Sequence, residues 1–269
     1  MNQSSVWPFG HGSATSGGRG TGLLDATQGQ VDLHLSELNV GRHTGYYGTA
    51  TGTLRWDQAE PIDVDKAYFG RGPSTGVLEV PAGGTFKLGT ADNPLSLLAI
   101  SYNDTGSGSG ASSAHLDLTG TDPTFEAYTS NLTIGGKMNA DGFGTANGSL
   151  VLGDNSSLHV GTAGSLGIVN VGMNQSSVWP FGHGSATSGG SGTGLLDATQ
   201  GDIELHLSEL NVGRHRGYYG TASGTFTTGD QTLVTTGSAN VATTSGGTAT
   251  GTLNLQGGIF SADIMNIGA

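Results

Sequence analysis

The sequence predicts an all-β chain wound as a right-handed, three-sided parallel β-helix, a β-solenoid of about eight coils. Three observations predict it. A short apolar–Gly anchor recurs along the whole chain, an alternating apolar pattern runs ahead of each anchor, and the composition is that of a thin-cored fold. The 269 residues include 50 glycines and no cysteine, and only 34% are hydrophobic. Such a composition fits either a disordered segment or a turn-rich repeat. The pattern decides for the repeat, because a low-complexity chain does not hold a four-position apolar register from unit to unit.

The anchors are Leu38-Asn39-Val40-Gly41, Ala67-Tyr68-Phe69-Gly70, Leu132-Thr133-Ile134-Gly135, Val169-Asn170-Val171-Gly172, Leu210-Asn211-Val212-Gly213 and Met265-Asn266-Ile267-Gly268. Degenerate copies, Leu98-Ala99-Ile100-Ser101 and Ala239-Asn240-Val241-Ala242, fill two gaps. Successive anchors stand 26 to 41 residues apart, and each interval is one coil.

Two apolar pairs precede each glycine: Leu33, Leu35, Leu38 and Val40 in one coil, Leu205, Leu207, Leu210 and Val212 in another. Ile62, Val64, Ala67 and Phe69, and Phe260, Ala262, Met265 and Ile267, keep the same spacing. Within a pair the period is two, which is a strand with one buried face. Between the pairs the phase slips by one residue, as a corner between two strands requires. A third strand follows a small residue, as in Gly52-Thr53-Leu54-Arg55-Trp56 and Gly251-Thr252-Leu253-Asn254-Leu255. Glycine at the corners supplies positive φ. A sandwich would need tight hairpin turns, and Asn147-Gly148 is the only Asn-Gly step.

A larger repeat overlies the coils. Met1 to Thr53 recurs at Met173 to Thr225 with six differences: Arg19/Ser191, Gln30/Asp202, Val31/Ile203, Asp32/Glu204, Thr44/Arg216 and Thr51/Ser223. Residues 1–269 therefore read as one continuous solenoid, with a first superrepeat over 1–172 and a partial second over 173–269. Near-identity of the copies implies a tandem array, and Met1 matches an interior residue, so the chain reads as a slice of a longer protein. A solenoid normally carries polar end caps. Here the last residues form an anchor and the first match those that follow one, which predicts end-to-end continuity, covalent or by docking of identical subunits.

The anchor followed by Gly-Thr-Ala-x-Gly-Thr-Leu, as at Gly48 to Leu54, Gly144 to Leu150, Gly220 to Phe226 and Gly247 to Leu253, resembles the β-strand repeats of bacterial autotransporter passenger domains and related surface proteins. The resemblance covers essentially the whole chain. It implies a right-handed parallel β-helix, secretion to the cell surface or beyond, and a role in adhesion or surface assembly. It carries over no catalytic residue.

Charge narrows the partners. Nine basic against 21 acidic side chains give a net charge of −12, which argues against nucleic acid. No apolar stretch approaches the length of a membrane span. No nucleophile elbow, phosphate loop or His-Glu-x-x-His motif is present, and the scattered acids Asp25, Asp32, Asp63 and Glu126 form no visible catalytic set, so the chain reads as a non-enzyme.

Binding is expected where the turns vary in length. The longest turns, Met1 to Thr21 and Met173 to Thr193, and their neighbours bring together Trp7, Phe9, His11, His43, Tyr46 and Tyr47 in the first copy. The second copy repeats the set as Trp179, Phe181, His183, His215, Tyr218 and Tyr219. This aromatic patch could cover the coil edge, pack against a neighbouring solenoid or cell surface, or stack on glycans. His34, His115, His159 and His206 alternate with apolar residues and should face outward. No histidine or carboxylate spacing specifies a metal. Asn139-Ala140-Asp141-Gly142-Phe143-Gly144 and Asp154-Asn155 are loose calcium candidates that also fit plain Asx-Gly turns. The expected function is a structural repeat protein of an extracellular filament, sheath or matrix, with a glycan- or surface-binding adhesin stalk as the alternative.

Overall fold

The computed structural model describes residues 6–12, 18–44, 48–104, 110–138, 144–175, 189–217 and 219–269, the first segment as backbone only. The described residues form strands and no helix, in two parallel sheets consistent with a β-solenoid. In the first sheet, β1 (Val6–Gly12), β3 (His34–His43), β5 (Asp63–Arg71), β8 (Leu97–Asn103), β11 (Asn131–Lys137) and β14 (Gly167–Gln175) pair in that order. β14 then pairs the long β16 (Asp202–Arg216). A second run, β7 (Thr85–Leu88), β10 (Thr124–Thr129) and β13 (Ser156–Val160), joins the N-terminal half of the same β16. β18 (Thr232–Val241) and β20 (Ile259–Ile267) continue beyond it.

The second sheet stacks β2 (Gly18–Ala26), β4 (Gly48–Trp56), β6 (Ser74–Glu79), β9 (Ala111–Asp117), β12 (Thr145–Val151), β15 (Ser191–Ala198), β17 (Thr221–Thr228) and β19 (Thr248–Leu255). Each strand pairs with the equivalent strand one winding away, so every repeat buries its apolar face only because a neighbour covers it.

The anchors pair in register. Leu38 faces Ala67 and Val40 faces Phe69 across β3 and β5, and Leu132 and Ile134 face Val169 and Val171 across β11 and β14. These side chains have no exposed surface. Between β14 and β16 the slip between apolar pairs coincides with a bulge: Gly167 and Ile168, consecutive in β14, face Leu207 and Glu209 in β16, so Ser208 is skipped. In the core, Phe86 packs edge-on to Trp56 and Phe69 at 6.5 and 6.3 Å and stacks with Phe125 at 6.1 Å.

Why the anchor ends in glycine is visible at Gly172. Its φ is +67°, and a Cβ there would lie 1.7 Å from the Ser223 carbonyl oxygen. The reciprocal Gly224 would bring a Cβ to 2.1 Å from the Val171 oxygen. The two sheets thus touch backbone to backbone at this seam, and no side chain fits. The degenerate anchors keep the conformation at a cost: Ser101 and Ala242 have φ of 61° and 54°, a strain of about 1–2 kcal/mol for an L-residue. Ser101 offsets it by hydrogen bonding to the Ser112 hydroxyl at 2.6 Å and accepting from the Asn147 amide at 2.8 Å. Ala242 has no side-chain group to do so.

The middle residue of the anchor builds a ladder along the stack. The amide of Asn266 donates to Asn240 Oδ1 at 2.9 Å, Asn240 to Asn211 at 3.0 Å and Asn211 to Asn170 at 2.8 Å. Each rung presents an acceptor to the next, which is why asparagine suits this position. At the last rung the pattern opens. Among the described residues β19 and β20 have a paired neighbour on one side only, and Leu255, Met265 and Ile267 are 52%, 46% and 71% exposed where their counterparts are buried.

One sequence expectation is corrected in the first copy. Trp7, Phe9 and His11 lie on a strand, β1, not on a turn: Trp7 pairs Leu38, Phe9 pairs Val40 and His11 pairs Arg42. Trp7-Pro8-Phe9-Gly10 has the same apolar–x–apolar–Gly order as Leu38-Asn39-Val40-Gly41, so it can occupy a rung of the first sheet.

Candidate functional site

The two histidines of the expected aromatic patch whose side chains are described are buried. His43 has no exposed surface and His215 is 1% exposed. Both sit two residues after an anchor glycine, where a row of polar side chains grips the bases of the variable turns. His215 Nε2 lies 3.0 Å from the Tyr219 carbonyl oxygen. Asn103 donates to the carbonyls of Gly110 and Thr145, each at 3.1 Å. Asn174 donates to those of Gly189, Gly190 and Thr221 at 3.2, 3.1 and 3.1 Å. These residues hold the bases of the loops by donating to their carbonyls, including those of Gly110 and Gly190, which also accept from the Thr145 and Thr221 amides. Tyr219 is 49% exposed. Tyr46, Tyr47, Trp179, Phe181, His183 and Tyr218 lie outside the described residues, as does 139–143 of the first calcium candidate. In the second, Asn155 is taken up by Asp122, to which its backbone and side-chain amides donate at 3.2 and 2.7 Å. Among the described residues no cluster of three or more histidines and carboxylates has metal-holding geometry, and no helix is long and apolar enough to cross a membrane.

The side chains that do converge lie elsewhere, on the outer face of the run β7, β10, β13 and β16. Alternation turns Lys87, Glu126, Tyr128, His159, Glu204 and His206 outward, and the parallel register lines them up across four strands. Glu126 faces Lys87, Tyr128 faces His159, and His159 faces Glu204. The contacts form a continuous chain. Lys87 Nζ is 3.2 Å from Glu126, and the Tyr128 hydroxyl donates to Glu126 at 2.9 Å. The Tyr128 and His159 rings stack with centroids 4.4 Å apart and planes 7° from parallel. His159 Nδ1 lies 3.4 Å from one Glu204 oxygen, His206 Nε2 lies 2.9 Å from the other, and His206 Nδ1 reaches the Thr235 hydroxyl at 3.0 Å.

These contacts tune the acids. The hydrogen bond from His206, followed by that from His159, outweighs burial and holds Glu204 below the usual carboxylate range. At Glu126, burial alone would raise the carboxyl, but the Tyr128 hydroxyl and Lys87 outweigh it and the shift is downward. Burial and the hydrogen bond to Glu126 together raise the Tyr128 phenol. Glu204 is therefore an ionised acceptor at neutral pH, held between two imidazoles.

A cleft of about 370 Å³ opens over this row. Its shape follows from turn lengths. Between β10 and β11 the corner is tight, with Ser130 alone between the strands. In the winding on one side, residues 89–96 bulge outward between β7 and β8, and in the winding on the other, residues 161–166 do so between β13 and β14. Ala91 and Pro94 form one wall, Thr162, Ala163 and Ser165 the other, and Tyr128, His159, Glu204 and His206 line the bed.

The outward placement of His159 and His206 was legible as alternation with apolar neighbours. The cleft was not, because it depends on which residues 31 to 45 positions apart become neighbours. No protein-family model, no curated protein and no solved structure matches the chain.

Proposed function

We propose that this protein is a structural repeat of an extracellular filament, sheath or matrix, in which solenoid coils continue end to end. In this reading the winding is right-handed and three-sided, with about eight coils. Three flanks are supported by the two runs of the first sheet plus the second sheet, and the coil number by the eight anchors. Right-handedness is supported by the strong preference of parallel β crossovers. The chain acts by length and contact, without a catalytic step. The cell surface or extracellular space is the compartment that the autotransporter-like repeat implies.

The observation that carries the proposal is the in-register stacking of successive windings, in which the anchor asparagines hydrogen-bond from rung to rung. Leu255, Met265 and Ile267 occupy core positions yet are about half exposed or more, beside strand edges with free hydrogen-bonding groups. A further coil, from a longer chain or from a second copy, would bury them and accept the Asn ladder. Sedimentation velocity over a concentration series tests docking. Wild type should form species that lengthen with concentration, while Met265→Lys combined with Ile267→Arg should stay monomeric. Monomers throughout the series for wild type, together with a native polypeptide no longer than these residues by mass spectrometry, would sink the proposal.

A further inference from the structure

We infer that the cleft over β10, β13 and β16 is a binding site for a neutral saccharide, with Glu204 and the two flanking imidazoles as its hydrogen-bonding centre. The volume of about 370 Å³ falls within the roughly 300–1,000 Å³ of small-ligand sites. It accommodates one or two hexose rings. The lining combines what a pyranose presents. Ala91, Pro94 and Ala163 offer apolar surface to ring C–H groups, while the bed offers polar atoms to hydroxyls.

The polar chemistry selects among ligands. An ionised carboxylate accepts and cannot donate, so Glu204 asks for hydroxyl or N–H donors and repels anions. His159 and His206 each contact one of its oxygens, at 3.4 and 2.9 Å, which fixes its orientation and leaves lone pairs directed elsewhere. No lysine or arginine lines the cleft among the described residues, and Lys87, on the same face, is engaged by Glu126 at 3.2 Å. An uncharged polyol ring fits both the apolar walls and the acceptor-rich bed.

The chain contains its own comparison. Asp32-Leu33-His34 is the first-copy counterpart of Glu204-Leu205-His206, and it keeps the acid–imidazole contact, with His34 Nε2 3.2 Å from Asp32. There, however, the side chains are 69% and 82% exposed, and among the described residues no stacked Tyr–His pair lies beside them. The carboxylate–histidine pair alone is thus not the site; the neighbouring windings complete it. The inference is independent of filament formation, since the cleft lies on the flank and not at the open rung.

Saturation-transfer NMR and calorimetry with maltose, cellobiose, lactose and N,N′-diacetylchitobiose test it. At least one of these sugars should bind once per chain. Glu204→Gln, which removes a charged acceptor, should weaken that binding about tenfold or more. Ala163→Trp, placed on an exposed turn where folding is undisturbed, should block the cleft and abolish binding, and Asp32→Asn should change nothing. The inference is overturned if none of the four sugars binds at millimolar concentration. It is equally overturned if binding survives Ala163→Trp or is unaltered by Glu204→Gln.

Discussion

Residues 30–35 and 202–207 are two copies of one sequence with two different fates. Leu205 and Leu207 are buried in the middle of a 15-residue strand. Leu33 and Leu35 are half-buried, and residues 30–33 lie outside any strand. The difference does not come from propensity, since Val31/Ile203 and Asp32/Glu204 are conservative and Gln30/Asp202 brings a residue depleted in strands into the copy with the longer strand. It comes from neighbours. The N-terminal half of β16 is flanked by β13 on one side and β18 on the other. Its first-copy counterpart is paired on one side only among the described residues, through Leu33 and His34 to Asp63. In a solenoid the environment of a residue is set by the windings above and below it, and a rung gains burial and backbone pairing only when both are present.

Core truncation should separate the copies most strongly. Leu205→Ala removes a side chain with no exposed surface and should cost about 2–5 kcal/mol. Leu33→Ala should cost no more than about 1.5 kcal/mol. Chemical denaturation of both variants measures the contrast, and equal losses would break the argument from neighbours.

The seam predicts effects of opposite sign. Gly213 has φ +66°, and a Cβ there would lie 1.9 Å from the Thr250 oxygen. Gly213→Ala should therefore destabilise by at least about 1–2 kcal/mol. Ala242→Gly in the next winding should stabilise, by up to about 1 kcal/mol once the extra unfolded-state entropy of glycine is subtracted. Thermal melts that moved in the same direction for both would contradict the seam.

The Asn ladder should be intermediate. Asn211→Ala strips a partner from both Asn170 and Asn240 and should cost about 1–3 kcal/mol. Asn266→Ala, at the open rung, should cost less, and denaturation midpoints of the two variants rank them.

The smallest effects are electrostatic, and here the copies differ in their pH windows. In the first copy the hydrogen bond to Asp63, then the charge of Asp32, raises His34. Its contribution is complete below the unfolded histidine value and fades as pH rises through the raised folded value. In the second copy Glu204 is lowered, chiefly by His206. Its contribution is complete above the unfolded glutamate value and is lost as pH falls through the lowered folded value. NMR titration should find His34 above and Glu204 below their ordinary ranges. Asp63→Asn should return His34 most of the way, and His206→Ala should do so for Glu204.

Much of this architecture was legible because a solenoid repeats its physics locally. The apolar pairs, the phase slip at Ser208 and the positive-φ corner at each anchor all follow from short spacings. Ser101 and Ala242 hold the glycine conformation although the residue has changed, so position in the repeat outweighs identity. What stayed hidden depends on stacking. For His43 and His215 the sequence left open whether they cover the coil edge or face a partner; both are buried, and His215 Nε2 lies 3.0 Å from the Tyr219 carbonyl oxygen. The Tyr128–His159–Glu204 row had no local signal, since its members meet only through the parallel register. The strand position of Trp7-Pro8-Phe9-Gly10 was obscured by proline standing where most other anchors carry asparagine.

The central claim is that identical rungs stack by parallel strand addition along one axis, and electron cryomicroscopy of concentrated protein tests it most directly. The account predicts filaments one solenoid wide, with strands perpendicular to the axis and an axial spacing of about 4.8 Å. Filaments whose strands run along the axis, or assemblies built by lateral contact with β19 and β20 left open, would contradict it.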